Sequence, residues 1–296
     1  EKLNSYLYGM DILDILKRLR PDIIYVSGWI DSGYIWAIKQ YRRKGGLTKV
    51  VCGIDDQWMG KFRQYIGVYY FKLFYRNIID YMWVSGKPQY HYAQRFGYNN
   101  EYIIENLLAA DNKVFTKAES RTSRFIYVGR LEPWKGVQLL VETYAKLCPE
   151  IRNRWPLVLI GDGSLKKTIA DLSVPGVTLK GFLSQEEIGA ELNKGGVACI
   201  CSHREQWGVA IHEMALAGLP LIVSSTCGAA TEFLISGYNG FLFPTGNSKS
   251  LLDALTASAG LSDEQLEQWS MRSHQLGCRI TPEHSTASLL SIRASH

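Results

Sequence analysis

No run of this 296-residue sequence approaches the eighteen consecutive apolar residues that a membrane-crossing helix needs, which excludes a helical span within it. A strong charge of either sign is also missing. Lys and Arg number 33 against 28 Asp and Glu, a formal charge of +5 that is too small to argue for nucleic acid. The basic clusters, Lys17 to Arg20 and Arg42 to Lys44, are short and read as solvated helix faces; no RNA- or DNA-binding motif occurs. Paired cysteines are absent too. Cys52, Cys148, Cys199, Cys201, Cys227 and Cys278 include no C-x-x-C and sit mostly in apolar runs, so buried, reduced thiols in a cytoplasmic protein are expected. The dinucleotide fingerprint G-x-G-x-x-G fails at Lys166 in the loop that begins Gly161-Asp162-Gly163. The beginning, with Glu1, Asn4 and Asp11, does not read as a signal peptide.

What is present suits two globular domains: 46% hydrophobic and 21% charged residues over a length that allows two cores. Apolar spacing predicts a helix over 3–19, ended by Pro21, with Leu7, Leu13 and Leu16 among its apolar positions. A strand over 22–26, a helix over 32–44 closed by Gly45-Gly46, and a strand over 49–52 follow. Asp55 and Asp56 stand just beyond that strand, where open α/β sheets bind ligands, although an Asp there also caps helices. Residues 60–79 mix aromatic and basic side chains. They could touch lipid headgroups, but a helix packed in a domain cleft is the preferred reading, because the aromatics surround the helix. A strand over 80–84, a helix capped by Ser85, a strand over 101–104 and a linker over 105–120 complete the first half.

From Arg124 the alternation is regular. Strands 125–128, 157–160, 177–179, 197–200, 221–223 and 240–243 enclose helical patterns at about 135–147, 164–172, 184–194, 208–217 and 228–236, with another at 248–258. Such βαβ units imply a doubly wound parallel sheet with all strand C-termini on one edge. To that edge fall Gly129-Arg130 to Lys135-Gly136, Gly161-Asp162-Gly163, Gly181-Phe182-Leu183, and Ser202 to Pro220. Arg130 and Lys135 supply a planar donor and a point cation before a helix, a combination suited to a diphosphate. Two charge-assisted bonds at roughly 1.5–3 kcal/mol each, with helix amides, cover much of the about −8 kcal/mol of a micromolar complex. Glu205 precedes a helix start at Gly208, and Glu213 lies on the flank of that helix's apolar face, where a carboxylate needs a donor. A ribose or a neighbouring salt bridge would serve. His203 and His212 are expected to be structural.

Gly129-Arg130…Lys135-Gly136, Gly161-Asp162-Gly163, Val177 to Gly181, and Glu205-x7-Glu213 followed by Ala215-x-x-Gly218-x-Pro220 resemble family 4 retaining glycosyltransferases of the GT-B fold. Glu232 and Gly237-x-Asn239-Gly240 extend the match, which is close over 124–258 and loose before it. The resemblance implies an α/β protein of two Rossmann-like doubly wound parallel-sheet domains facing across a cleft. An acceptor-side domain over 1–112 would be joined by a C-terminal helix 281–296, and a nucleotide-sugar domain would span 113–280. It implies a sugar transferred from a nucleotide-diphosphate sugar, UDP- or GDP-linked, to a hydroxyl acceptor: a glycan, a lipid-linked glycan or a small molecule. The anomeric configuration would be retained and no metal required. By position, Arg130 and Lys135 would hold the diphosphate beside Gly129 and Gly161. Glu205 and the amides near Trp207, Gly208 and Val209 would hold the sugar, Glu213 the ribose, and the backbone at Leu183 the base. The family's His-Asp is replaced by Ile54-Asp55-Asp56, so Asp55, or else Asp56, is the expected base or orienter. The family's first strand and glycine loop are expected to be missing, leaving the N-terminal domain truncated. Peripheral contact with the inner face of a membrane is compatible with the basic, aromatic stretch. Rival expectations are a nucleotide-sugar epimerase on the same fold and a non-catalytic donor-binding subunit.

Overall fold

The computed structural model describes residues 2–293 apart from Leu47 and Arg121. The chain divides into two compact units, 1–107 with 285–296 and 108–284.

The first unit runs α1 (Lys2–Leu19), β1 (Ile23–Val26), α2 (Ser32–Arg43), β2 (Lys49–Ile54), α3 (Phe62–Phe74), β3 (Tyr81–Val84), α4 (Lys87–Arg95) and β4 (Ile103–Ile104). Its four strands are parallel in the order β1-β2-β3-β4. Asp31 starts α2 by accepting hydrogen bonds from the amides of Gly33 and Tyr34. Alternation sends Val50, Cys52 and Ile54 to one sheet face, with Leu13, Leu16, Ile38 and Phe71, and Val51 to the other, with Trp83 and Ile104. Ile292 packs on that second face, and the carbonyl of Ile292 accepts a 2.6 Å bond from Lys49. The helix expected over 281–296 is a helix over Pro282–Leu290 followed by a 3-10 turn at Ser291–Arg293. Positions 294–296, like Glu1 and the side chain of Leu7, lie outside the described residues.

The helix over 62–74 departs from its sequence expectation. Only Phe71 is buried, with Val68 and Tyr75 half-buried beside it, while most of the remaining aromatics are exposed. Aromatic rings do surround this helix, but only one side has a sheet to pack on.

The second unit runs β5 (Phe125–Val128), α5 (Val137–Tyr144), α6 (Pro149–Arg154), β6 (Leu157–Ile160), α7 (Lys166–Asp171), β7 (Val177–Gly181), α8 (Gln185–Leu192), β8 (Val197–Ile200), α9 (Val209–Leu216), β9 (Leu221–Ser224), α10 (Ala230–Phe233), β10 (Gly240–Phe243), α11 (Ser248–Ala259) and α12 (Asp263–Gly277). Its six strands are all parallel, ordered β10-β9-β8-β5-β6-β7. Both faces are covered, which is why the strands read as uninterrupted apolar runs. Phe125, Tyr127, Leu157 and Leu159 enter a core with Leu140, Val141 and Leu255 from α5 and α11. Ile126, Val128, Val158 and Ile160 enter the opposite core with Ile211, Met214 and Phe233.

Sequence periodicity missed α6 and α12. The second is opened by a Ser262–Gln265 capping box and meets α9 through small residues. A Cβ added at Gly277 would stand 2.6 Å from the Leu216 nitrogen. The stretch expected as a linker over 105–120 is built into this unit from Leu108 onward: Ala110 and Phe115 are in its core, and the Ala118 amide bonds the Ala217 carbonyl at 3.0 Å. Among the cysteines, Cys148 and Cys278 are exposed rather than buried; the other four are buried and all six are free.

Candidate functional site

The order of the second sheet reverses at its middle. From β5 the chain steps outward through β6 and β7, then returns to lay β8, β9 and β10 on the other side. The loops leaving β5 and β8 therefore diverge from neighbouring strand ends, the place where doubly wound sheets form a ligand crevice.

Those two loops are joined. The Trp134 carbonyl accepts from the amides of His203, at 2.8 Å, and Arg204, at 3.2 Å. Gly136 is left-handed at φ 66°, and a Cβ there would stand 1.9 Å from the Cys201 carbonyl oxygen. Only glycine permits that approach. It brings the Lys135 ammonium onto the Glu205 carboxylate as a half-buried ion pair, and Ser202 Oγ donates to the same carboxylate oxygen at 3.1 Å. Lys135 and Glu205, seventy residues apart in sequence, thus meet at the switch point.

The surrounding loops fasten one another. The Gly129 amide bonds Ile160, the Leu131 amide bonds Asp162 at 2.8 Å, and the Gly161 amide bonds Gly181 at 2.7 Å. Tyr127 donates its hydroxyl to the Arg130 carbonyl at 2.8 Å. Glu132 accepts from the Ser164 hydroxyl, at 2.7 Å, and amide, at 3.0 Å. Arg130 itself is exposed, and no hydrogen bond or ion pair holds its guanidinium among the described residues.

Gly208, left-handed at φ 95°, occupies the N-cap of α9, and no side chain caps it. The first-turn amides of this helix face its N-terminal end with the positive pole of the helix dipole, next to the Lys135–Glu205 pair. Trp207 is buried, and its carbonyl accepts from the Ala229 amide at 2.9 Å; Val209 is half-buried. One turn into α9, Glu213 is half-buried, and no hydrogen bond or ion pair reaches its carboxylate among the described residues. Burial raises its pKa to about 7. Leu183 is half-buried after β7, beside an exposed Phe182.

Sequence reasoning did not find the contribution of β9 and β10. Thr226 donates to the Ser202 carbonyl at 2.8 Å, Ser224 donates to it at 2.7 Å, and Cys227 pairs with Glu205 as an isolated bridge. Thr245 joins them by a 3.1 Å bond to Thr226. The available signal was positional: these hydroxyls follow strands whose C-termini share the edge. Asn239 proves to be internal scaffolding, bonded to Ile235, Phe233 and Ser273. His212 is likewise structural. Its Nδ1 accepts from the Ala110 amide at 3.0 Å, its Nε2 meets the Gly277 carbonyl at 2.9 Å, and its ring stacks on Phe233. His203 is exposed.

On the first unit, Asp55 is exposed just beyond the C-terminal end of β2, and its carbonyl accepts from Gln89 at 2.8 Å; Asp56 is exposed beside it. No cluster of three metal-ligating side chains occurs among the described residues. A cavity of about 430 Å³ lies away from these loops, at the other end of the second sheet, between Lys117, Trp155, Gly196 and Glu267.

A parallel sheet with cations, acids and an uncapped helix start at its switch point belongs to the class of doubly wound α/β domains. Comparison is more specific. The family profile described as glycosyl transferases group 1 matches residues 110–273, over half of the chain, and the chain belongs to that family. Glycogen synthase of Mycobacterium tuberculosis (strain H37Rv) is 32% identical over 148 residues, 47% of this chain and 34% of that protein. The MMP alpha-(1->4)-mannosyltransferase of Mycolicibacterium hassiacum is 32% identical over 162 residues, 53% of this chain and 39% of that protein. These matches span little more than a third of the relatives' length. Anabaena Alr3699/HepE, solved in complex with UDP, superimposes with a TM-score of 0.78 at 17% identity, over 97% of this chain and 82% of that one. The fold is therefore GT-B, two Rossmann-like α/β domains with parallel sheets.

Proposed function

We propose that the protein transfers a sugar from a nucleotide-diphosphate sugar to a hydroxyl acceptor with retention at the anomeric carbon. The observation that carries this reading is the convergence at the switch point of Arg130, the Lys135–Glu205 pair, the uncapped start of α9 and the unpartnered Glu213. Family membership supports it, as do relatives that are sugar transferases by name and a structural neighbour solved with UDP-glucose.

In this reading Arg130, Lys135 and the α9 amides hold the diphosphate and take up the charge it gains as the anomeric C–O bond breaks. Lys135 exchanges Glu205 for phosphate, which frees Glu205 to accept from the sugar hydroxyls. The backbone of Gly129, Gly161 and Gly208 allows the donor close approach. Glu213, its carboxylate lacking a protein donor, accepts from the ribose hydroxyls, and the Leu183 backbone meets the base. The amides near Trp207 and Val209 border the sugar. Asp55 on the first unit is assigned to the acceptor hydroxyl, as its base or orienter. UDP- and GDP-sugars are the preferred donors, and no metal is required.

A thermal-shift screen with UDP-, GDP-, ADP- and dTDP-sugars tests donor binding directly. Removing one charged donor to phosphate costs about 2 kcal/mol, so Arg130→Ala and Lys135→Ala should each weaken the responding donor roughly 30-fold. Unchanged affinity in both variants overturns the assignment.

A further inference from the structure

Ser202 is the fixed point of the loop that carries Glu205. It follows β8, is 1% exposed, and its carbonyl accepts from two hydroxyls, Ser224 Oγ at 2.7 Å and Thr226 Oγ1 at 2.8 Å. Both lone pairs of that carbonyl are thereby occupied. Thr245 braces Thr226 in turn: its hydroxyl donates to Thr226 Oγ1 at 3.1 Å and accepts from the Thr226 amide at 3.2 Å. The residues after Ser202 are held as well. The Trp134 carbonyl takes the amides of His203 and Arg204, and Glu205 forms a bridge with Cys227. This scaffold sets the backbone of the loop and leaves the Glu205 side chain still to be placed. The Lys135 ammonium and the Ser202 hydroxyl, the latter at 3.1 Å, both donate to its Oε2.

We propose that Ser202 is a positioning residue for Glu205, keeping the carboxylate in place for the sugar once Lys135 has turned to the diphosphate. The inference rests on the transfer reading, in which Lys135 exchanges Glu205 for phosphate. At that exchange the carboxylate loses its cation. A Glu side chain then regains its rotamers unless a second donor stays behind. Ser202 is that donor. It cannot follow Lys135, because its carbonyl is bonded to Ser224 at the end of β9 and to Thr226 just beyond. A hydroxyl also suits the task in charge: it gives one hydrogen bond without neutralising the carboxylate, so Glu205 keeps lone pairs for sugar hydroxyls. In this role Ser202 acts through Glu205 and touches no part of the donor.

The test compares a sugar donor with its bare diphosphate, UDP-glucose with UDP and GDP-mannose with GDP. Ser202→Ala should lower kcat/KM for hydrolysis of the responding donor roughly 30-fold, the value of one hydrogen bond to a charged group. Its affinity for the bare diphosphate and its melting temperature should stay close to those of the wild type. Ser202→Cys, which keeps the volume but only a weak donor, should fall between the two. Thr226→Val removes one hydroxyl from the Ser202 carbonyl at constant shape and should lose about fivefold in the same kcat/KM. Wild-type kcat/KM in Ser202→Ala overturns the proposal. So does an equal loss of affinity for sugar donor and bare diphosphate with a lowered melting temperature, which assigns Ser202 to the fold alone. A wild-type protein that binds neither UDP nor GDP overturns the transfer reading itself, and the positioning role falls with it.

Discussion

Glu191 and Glu213 belong to the same domain and are held in opposite ways. Glu191 is surrounded: Lys180 and Lys194 each donate to it at 2.7 Å, and the buried Arg124 guanidinium reaches it at 3.2 Å. Burial alone would raise its pKa, but the bonds from Lys180, Lys194 and Arg124 outweigh burial and hold it at about 2. Glu213 has burial without donors, and burial takes it up to about 7. A carboxylate saturated by the protein has nothing left for a ligand and serves the fold. One left unsaturated beside a helix start costs stability and keeps its acceptor lone pairs free.

That comparison can be broken by substitution. The largest effect should come from Glu191→Ala, which leaves the buried Arg124 guanidinium with the Gly195 and Glu191 carbonyls but without a carboxylate. Losing one member of a buried pair costs about 3–5 kcal/mol, readable as a lower denaturation midpoint, with donor affinity per folded molecule unchanged. A midpoint near that of the wild type would reduce the cage to a surface feature.

His212 offers a control with known sign. Burial lowers its pKa to about 4, below the ordinary 6.5. The neutral ring stabilises the fold fully above pH 6.5, and that stability is lost as pH falls toward 4, by about 3 kcal/mol in all. In His212→Asn this acid limb should flatten, whatever the baseline cost. A limb of unchanged slope would place the acid sensitivity elsewhere.

Glu213→Gln should give the smallest change and the most informative one. The folded pKa lies above the unfolded value, so the stabilising form is the protonated one. Its benefit is complete below pH 4.5 and is lost as pH rises through 7. The variant should therefore match the wild type in acid and melt higher above pH 7. Its donor affinity should fall roughly tenfold, about the value of one hydrogen bond to a charged group. Higher stability with full affinity would show Glu213 to be an unused residue rather than a ligand group.

Much of the second unit was legible because its local signals agree. Apolar runs such as Phe125 to Val128 and Leu157 to Ile160, separated by helical spacing, leave a parallel sheet as the natural arrangement. Glu213 was also legible: a carboxylate on the flank of an apolar helix face must be partly buried wherever that helix packs. Helix α12 escaped because its buried positions are Trp269, Ser273 and Gly277, a single large apolar residue and two small ones rather than an apolar stripe. The capping box at Ser262 was its readable signal. Helix α3 was misjudged because a helix with two apolar faces does not announce which of them meets a core.

The sequence by itself determined the strands, the edge at which their C-termini gather, and the residue types that edge presents, since these follow from periodicity, turn chemistry and the handedness of crossovers. Only the tertiary structure decided the pairings. It placed Lys135 on Glu205 through the near contact of Gly136 with Cys201, spent Arg124, Lys180 and Lys194 on Glu191, and left Glu213 with none. Pairings of this kind depend on strand order and on which side chain reaches a charge first, and neither is written in the spacing of residues along the chain.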